Sequence, residues 1–457
     1  MRIQHVCTMV MACCAAQAAD VSFHPGERVV ALGDSITHGG LYHRYLDLFY
    51  TTRFPDAPRH FMNAGIGGDW AGGALARLEW DVLAKKPTVV AIMFGMNDVG
   101  RALYQVEEPT AEQLVQRQER LDRYPKQMAE LVDRIHAYGA RVMLLTPSPH
   151  DDTMAADAPA FNRVNDGLSV YAEQARRIGA EKDVPVVDFF QPMLELNLAR
   201  QAMDPRFTLI SGDRVHPGPV GHFMMTWLFL KAQGITQPVM DVAVDAGAGS
   251  VVRSLNAEVS EFVVDEDGGL RFVCRAGALP FPAMPEVQGA HDLFSFNETF
   301  NQERLAVEGL GDEAFLLVID DVPIRTYTGA ELAAGINLAL ETNTPQHAQA
   351  GEVERLWRRK HAVENQLRDI VFSESRLWGT RPRPIVREEM RPLLEAAIAQ
   401  TRDNPALRSV TVRYEAYDTL KVREDQIVEE LDHVIEGMHR AARPLPRTYR
   451  LVRDPAI

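Results

Sequence analysis

From residue 28 to about 233 the chain alternates short, almost wholly apolar runs with longer amphipathic ones, and this alternation constrains the fold more than any other feature. The runs RVVALG (28–33), RHFMNAG (59–65), TVVAIMFG (88–95), ARVMLLTP (140–147) and VPVVDF (184–189) have strand length, β-branched or aromatic content, and Gly, Pro or Asp closing them. Residues 42–52, 72–83, 110–138 and 161–178 between them have helical texture. Strands apolar along their whole length need cover on both faces, so the pattern predicts a parallel five-stranded sheet in a three-layer α/β domain.

After WLFLKAQGIT (227–236) the texture changes. The stretch DAGAGS (245–250) marks a break. EFVVDEDGGLRFVCR (261–275) reads as a hairpin turning at Asp267-Gly268-Gly269, and AFLLVIDDVPIRTYTG (314–329) as a second one. Beyond residue 348 the chain turns strongly helical. A length of 457 residues exceeds one ordinary domain, and the expected division is 19–240 followed by an α+β region rich in helices, 241–457. No fixed-period repeat or low-complexity tract interrupts either part.

The first eighteen residues, MRIQHVCTMVMACCAAQA, read as a secretory signal peptide: Arg2 opens it, an apolar run follows, and Ala16-Gln17-Ala18 has the cleavage spacing. The run is too short for a permanent membrane span, and the expectation is a secreted or periplasmic protein. A second reading of the stretch is a lipoprotein box with a lipidated Cys13. Cleavage after Ala18 removes three of the four cysteines and leaves Cys274, so stability must come from packing and not from an internal disulfide. A formal charge of -15 argues against nucleic acid or anionic membrane surfaces as general partners.

Four segments carry chemistry. In ALGDSITHGG (31–40), Ser35 follows the first apolar run; alone, a serine there is a turn-capping hydroxyl. NAGIGGDWAGGALARL (63–78) follows the second run with glycines that let backbone amides approach a ligand, or simply make a tight turn. Its glycines do not fit a dinucleotide fingerprint, because Trp70 stands where the third glycine belongs. FGMNDVG (94–100) places Asn97 beyond a strand's carboxyl end, where open α/β sheets bind ligands. SGDRVHPGPVGH (211–222) sets Asp213 three residues before His216, a spacing that lets a carboxylate fix an imidazole's tautomer. Together they supply a nucleophile, oxyanion donors and an oriented base, the set needed for acyl transfer.

The blocks GDSIT, NAGIGGD, GMND and DRVHP resemble those of SGNH hydrolases, also called GDSL-type esterases and lipases, over residues 28–233. The resemblance implies an α/β/α sandwich of flavodoxin-like type. It also implies that Ser35 attacks an ester carbonyl, His216 takes its proton and Asp213 orients His216. The amides of Ser35 and Gly68 and the side chain of Asn97 would then hold the oxyanion. Gly67 and Trp70 depart from the commonest family pattern, which has serine and threonine there. Trp70 and Asp34 are candidate substrate contacts, with helix-start packing and loop bracing as their alternatives. The wider chain resembles secreted bacterial GDSL-like proteins with an appended second domain. Within that appendix AAGINLALETNTPQHAQA (333–350) is expected to pack near the catalytic face and shape the acyl or alcohol side.

The absence of a G-x-S-x-G elbow, a Walker A loop or an H-E-x-x-H pair removes the commonest rivals. His38, His43, His150 and His222 lack ligand spacing to a second His or Cys, so no metal and no cofactor is expected. The expected activity is ester hydrolysis through an acyl-enzyme, on small-molecule or polysaccharide esters and foremost short O-acetyl esters on carbohydrate. A lysophospholipase, thioesterase or arylesterase of the same fold is the alternative enzyme, and a non-catalytic binding protein the alternative class.

Overall fold

The computed structural model describes residues 20–155, 161–266, 268–379, 381 and 383–453; the segment 1–18, with Cys13, lies outside them. Five strands, β1 (Arg28–Gly33), β2 (His60–Gly65), β3 (Val89–Met93), β4 (Arg141–Leu145) and β5 (Val186–Val187), form one parallel sheet in the order β2-β1-β3-β4-β5. The strand order reverses beside β1, and the crevice beyond the strand ends at such a reversal is where open α/β sheets bind ligands. Helices α1 (Ser35–Gly39) and α2 (Leu41–Arg53) follow β1, and α3 (Ala71–Arg77) follows β2. Next come α4 (Ala111–Tyr138), α5 (Val164–Lys182), α6 (Phe190–Gln201) and α7 (Pro219–Ala232). α2 and α7 pack together on one side, and α3, α4 and α5 form a second packed group.

Two expected elements differ. β5 has two residues because Asp188 and Phe189 leave the ladder: Thr146 Oγ1 accepts the amides of Phe189 and Phe190 at 2.8 and 2.9 Å and donates to Asp188 at 2.8 Å. The helix expected over 72–83 is regular only through Arg77, then widens into a π-turn over Leu78–Val82. There Arg77 and Asp81 both turn into the interior and pair at 2.5 Å.

Beyond Val239 the strands β6 (Met240–Asp245), β7 (Ser250–Leu255), β8 (Ala257–Val264), β9 (Leu270–Ala276), β10 (Glu303–Glu308), β11 (Ala314–Ile319), β12 (Val322–Thr328), β13 (Ile336–Asn337) and β14 (Arg447–Arg453) build two further sheets. Their orders are β13-β10-β6-β7 and β12-β11-β14-β9-β8. The hairpins expected at 261–275 and 314–329 are present as β8-β9 and β11-β12; Asp267 of the first turn lies outside the described residues. Short helices α8 (Gln288–Leu293), α9 (Phe296–Thr299) and α10 (Gly329–Ala334) precede α11 (Pro345–Leu377), α12 (Arg387–Thr401), α13 (Arg408–Val422) and α14 (Glu424–Ala441). Among the described residues no helix is long and apolar enough to cross a membrane.

α11 returns to the parallel sheet and packs on α2 and β2. Its buried face begins as an ordinary apolar stripe, Ala350, Val353 and Trp357, and then becomes charged. Trp357 Nε1 donates to the Arg44 carbonyl at 2.8 Å, and Lys360 pairs with buried Asp47 at 2.6 Å. Farther along, Arg368 meets Asp81, which also holds Arg77 and Lys85. Burial works against the Asp81 carboxylate, but Arg368, Lys85 and Arg77 overcome it and hold its pKa well below the usual range.

Asp81→Asn leaves the guanidiniums of Arg77 and Arg368, each no more than 2% exposed, without their shared counter-charge, and should cost about 3–5 kcal/mol. Because the folded-state pKa is depressed, the carboxylate's contribution is complete above the unfolded value of about 3.9 and is lost only as pH falls through the folded one. Urea unfolding should therefore give the same penalty at pH 8 as at pH 5. A loss under about 1 kcal/mol, the scale of an exposed pair, or a penalty that changes between those pH values, contradicts this account.

Candidate active site

Ser35 begins α1 directly beyond the end of β1. Asp34 caps that helix, its Oδ1 accepting the Ile36 amide at 2.9 Å. At 2% exposure Asp34 cannot reach a substrate, which corrects its assignment as a substrate contact. Burial foremost, with Asp98 and Asp69 nearby, pushes its pKa up to about 7 against the pull of the Ile36 amide. Gly33 lets α1 sit this close to the sheet: a Cβ there would stand 2.2 Å from Thr37 Oγ1 and 2.7 Å from the Met93 carbonyl.

The DRVHP loop arrives from the end of β5 by way of α6. Ser211 N donates to His216 O at 2.7 Å and Gly218 N to Leu209 O at 3.0 Å, which closes the loop into a narrow hairpin. Arg214, with φ of 66°, turns outward, and its guanidinium donates to the carbonyls of Asp151 and Met154 at 2.9 and 2.7 Å. Asp151 is itself buried and accepts from Asn197, Gln201 and Thr208. The loop thus stands on a fixed base.

At its tip Asp213 Oδ1 accepts the amides of Val215 and His216 at 2.9 and 3.0 Å and the Ser211 hydroxyl at 2.8 Å. Partial burial would raise the Asp213 pKa, but these donors, with the His216 ring, hold it well below the carboxylate range. Asp213 Oδ2 therefore accepts from His216 Nδ1 at 2.5 Å, which leaves Nε2 bare to accept from Ser35 Oγ at 2.8 Å. The structure brings Ser35, His216 and Asp213 into one hydrogen-bonded chain.

Of the oxyanion candidates, Ser35 and Gly68 line one cleft with His216, and Asn97 is tied to Asp69, next to Gly68. Asp69 N donates to Ile66 O at 3.1 Å across a β-turn whose third residue, Gly68, has φ of +72°, a left-handed conformation suited to glycine. Two side chains hold the turn. His38 Nδ1 accepts the Gly67 amide at 3.1 Å, and Arg376 Nη2 donates to the Gly67 carbonyl at 2.6 Å. In a trans peptide the N–H points opposite to the C=O, so Arg376 aims the Gly68 amide away from itself. Among the described residues neither that amide nor the Ser35 amide donates to a protein acceptor. Asn97 Oδ1 accepts from Arg101 at 3.1 Å, which orients the amide so that Nδ2 donates to Asp69 O at 2.8 Å with one N–H to spare.

Ser35, His216 and Gly68 open on a cleft of about 600 Å³. Its other wall is Phe372 and Arg376 of α11, with Thr401, Leu407, Ser409, Val410, Arg413 and Tyr414 from the helices beyond. Trp70 does not line it. At 36% exposure it borders an adjoining hollow of about 220 Å³ with Gly68 and Arg376, and the Arg123 guanidinium lies 4.8 Å from its ring centre. The segment 333–350 is also elsewhere. Asn337 holds β13 to β10 through the Glu303 amide at 2.9 Å, and Thr344 caps the end of α11 that lies about 48 Å from Arg376.

The helical texture beyond residue 348 is present as α11, but its place at the site was missed. Glu364 Oε1 accepts the Asn63 amide at 2.8 Å, Arg368 donates to Gly65 O at 3.0 Å, Phe372 packs at Gly67, and Arg376 donates to Gly67 O. Helix positions four apart rise about 6 Å, close to the spacing of alternate residues on an extended strand, so one helix face matches residues 63, 65 and 67. The only signal available in the sequence is the i, i+4 spacing itself, which reads equally well as a solvated charged face.

Residues 31–223 match the GDSL-like Lipase/Acylhydrolase family. The acetylxylan esterase of Geobacillus stearothermophilus is 27% identical over 228 residues, 46% of this chain and 94% of that one. The uncharacterized lipoprotein YqeF of Bacillus subtilis is 24% identical over 189 residues, 37% of this chain and 73% of that one. Among solved structures the gut microbial diltiazem-metabolizing enzyme BT4096 is similar at a TM-score of 0.85 and 30% identity, over 95% of this chain and 99% of that one, so the likeness includes the C-terminal sheets and helices. With this fold, these motifs and a relative matched over nearly its full length, the chain belongs to the SGNH hydrolases, the GDSL-type esterases and lipases, and is a hydrolase of ester bonds.

Proposed function

We propose that the protein is a serine esterase that removes short acyl groups, foremost O-acetyl, from carbohydrate through an acyl-enzyme. The observation that carries this reading is the chain from Asp213 through His216 to Ser35, at 2.5 and 2.8 Å. In it Ser35 Oγ attacks the ester carbonyl as His216 Nε2 takes its proton. The oxyanion forms against the amides of Ser35 and Gly68 and the free N–H of Asn97, donors already set before the charge develops. His216 returns the proton to the departing alcohol, then draws one from water as that water attacks the acyl-serine carbon. Asp213, held ionised by its donors, keeps Nδ1 protonated and stabilises the imidazolium.

Support for carbohydrate comes from the acetylxylan esterase relative and from a cleft whose rim mixes the hydroxyls of Thr401, Ser409 and Tyr414 with apolar side chains. The apolar N-terminal run with its Ala16-Gln17-Ala18 site supports export, to the periplasm or beyond. The test is acetate release from acetylated xylo-oligosaccharides against release of fatty acid from lysophospholipid and of thiol from acyl thioesters. Acetate release should lead by at least about tenfold in kcat/KM. Faster turnover of either rival class overturns the carbohydrate assignment.

A further inference from the structure

The cleft at Ser35 continues past His38 and Gly39 into a second hollow of about 690 Å³, and Ser409 and Arg413 border both. Among the described residues Arg44, Arg408 and Arg413 line this hollow against a single carboxylate, Asp369. That carboxylate is already engaged by Arg413 Nε at 3.0 Å. Arg44 donates to Asn365 at 2.6 Å, and Arg408 makes no ion pair among the described residues. Among the described residues the catalytic cleft itself is lined by Arg376 and Arg413 and by no carboxylate. The whole chain has 63 acidic residues against 48 basic ones, so this positive sign is local.

Geometry makes Arg413 a fixed donor. Its guanidinium lies 4.8 Å from the Phe372 ring centre, and its Nε is bound to Asp369. A Cβ on Gly67 would stand 3.7 Å from Arg413 Nη1, so this nitrogen lies against the turn that carries Gly68. His38, on the wall shared by both hollows, senses the same field. Its pKa is held well below the ordinary value by burial first, and next by Arg368, Arg413, Arg44 and Arg77. Guanidinium groups meet carboxylates in a planar, two-pronged fit that neutral hydroxyls cannot reproduce.

We propose that the esterase acts on acidic carbohydrate, with the ester carbonyl at Ser35 and a uronate carboxylate of the same or the adjoining sugar received by Arg413 and Arg408. The proposal rests on the carbohydrate-esterase reading and adds the charge of the substrate. It also gives a role to α13, whose first residue is Arg408.

The test compares kcat/KM of the full chain for an O-acetylated hexuronic acid disaccharide and for the neutral hexose disaccharide acetylated at the same position. The expected ratio favours the acidic ester by at least about tenfold at low ionic strength, and falls towards one near 0.5 M salt as screening shortens to a few ångströms. Arg408→Glu should lower the ratio by about tenfold. An acidic residue suits the first turn of a helix and Arg408 is exposed, so the variant should fold. A ratio of one or less, or a ratio that Arg408→Glu leaves in place, overturns the proposal while the esterase reading stands. Cleavage of p-nitrophenyl acetate with neither saccharide touched removes the carbohydrate reading and this proposal together. Failure on all three esters, with Ser35→Ala indistinguishable from the wild type, removes the esterase reading itself.

Discussion

Ser35→Ala should lower kcat for acetyl-ester hydrolysis by about 10³-fold or more, with residual turnover supplied by the oxyanion donors alone. The hydroxyl's partner is His216 Nε2 at 2.8 Å, in a site open to solvent. Its loss removes one part-buried hydrogen bond and should change stability by no more than about 1 kcal/mol. His216→Ala should cost a similar factor, because a serine without its base is a poor nucleophile at neutral pH. The double variant should be no slower than the slower single one, since the two groups act as a unit. Initial rates on p-nitrophenyl acetate, with unfolding midpoints measured in parallel, check all three proteins. Ser35→Ala within tenfold of the wild type, or losses that multiply in the double variant, would exclude Ser35 as nucleophile and His216 as its base.

The residues of that chain were legible because the information lies near them in sequence. β1, β3 and β4 are buried on both faces and β2 over most of its length, so apolar runs give them away, and the motifs sit where those runs stop. The three-residue gap between Asp213 and His216 already fixes their contact once the loop closes. Where long-range partners decide, local reading fails. Thr146 shortens β5 from another strand's end. Asp34 reads equally as a substrate contact or a loop brace until its burial and its capping bond are seen. His38 lacks every sequence signature of a site residue, yet it holds the Gly67 amide through Nδ1. The greatest loss is α11, whose partners at residues 63–67 lie about 300 positions away and share no motif with it.

Arg376→Ala follows from that helix, and should lower kcat by about 10- to 100-fold while leaving KM within about threefold. The guanidinium is exposed and engaged at Gly67 O, so its removal leaves the fold in place but frees the Gly67–Gly68 peptide to rotate. Loss of an oxyanion donor costs about 10²–10³ in turnover. A donor that still forms, but in a fraction of molecules, costs less, because His38 retains its hold on the Gly67 amide. An effect confined to the transition state appears in kcat and not in KM. Arg376→Lys keeps a cation able to donate to the carbonyl and should recover most of the rate. Alanine, having no donor, should not. A rise in KM at constant kcat would make Arg376 a substrate-binding group instead, and an unchanged kcat in the alanine variant would mean that His38 and the turn's own geometry suffice. The expected pattern makes α11 a working part of the catalytic site, since the turn that presents Gly68 is braced on one side by the sheet's own α1 and on the other by a residue more than 300 positions downstream.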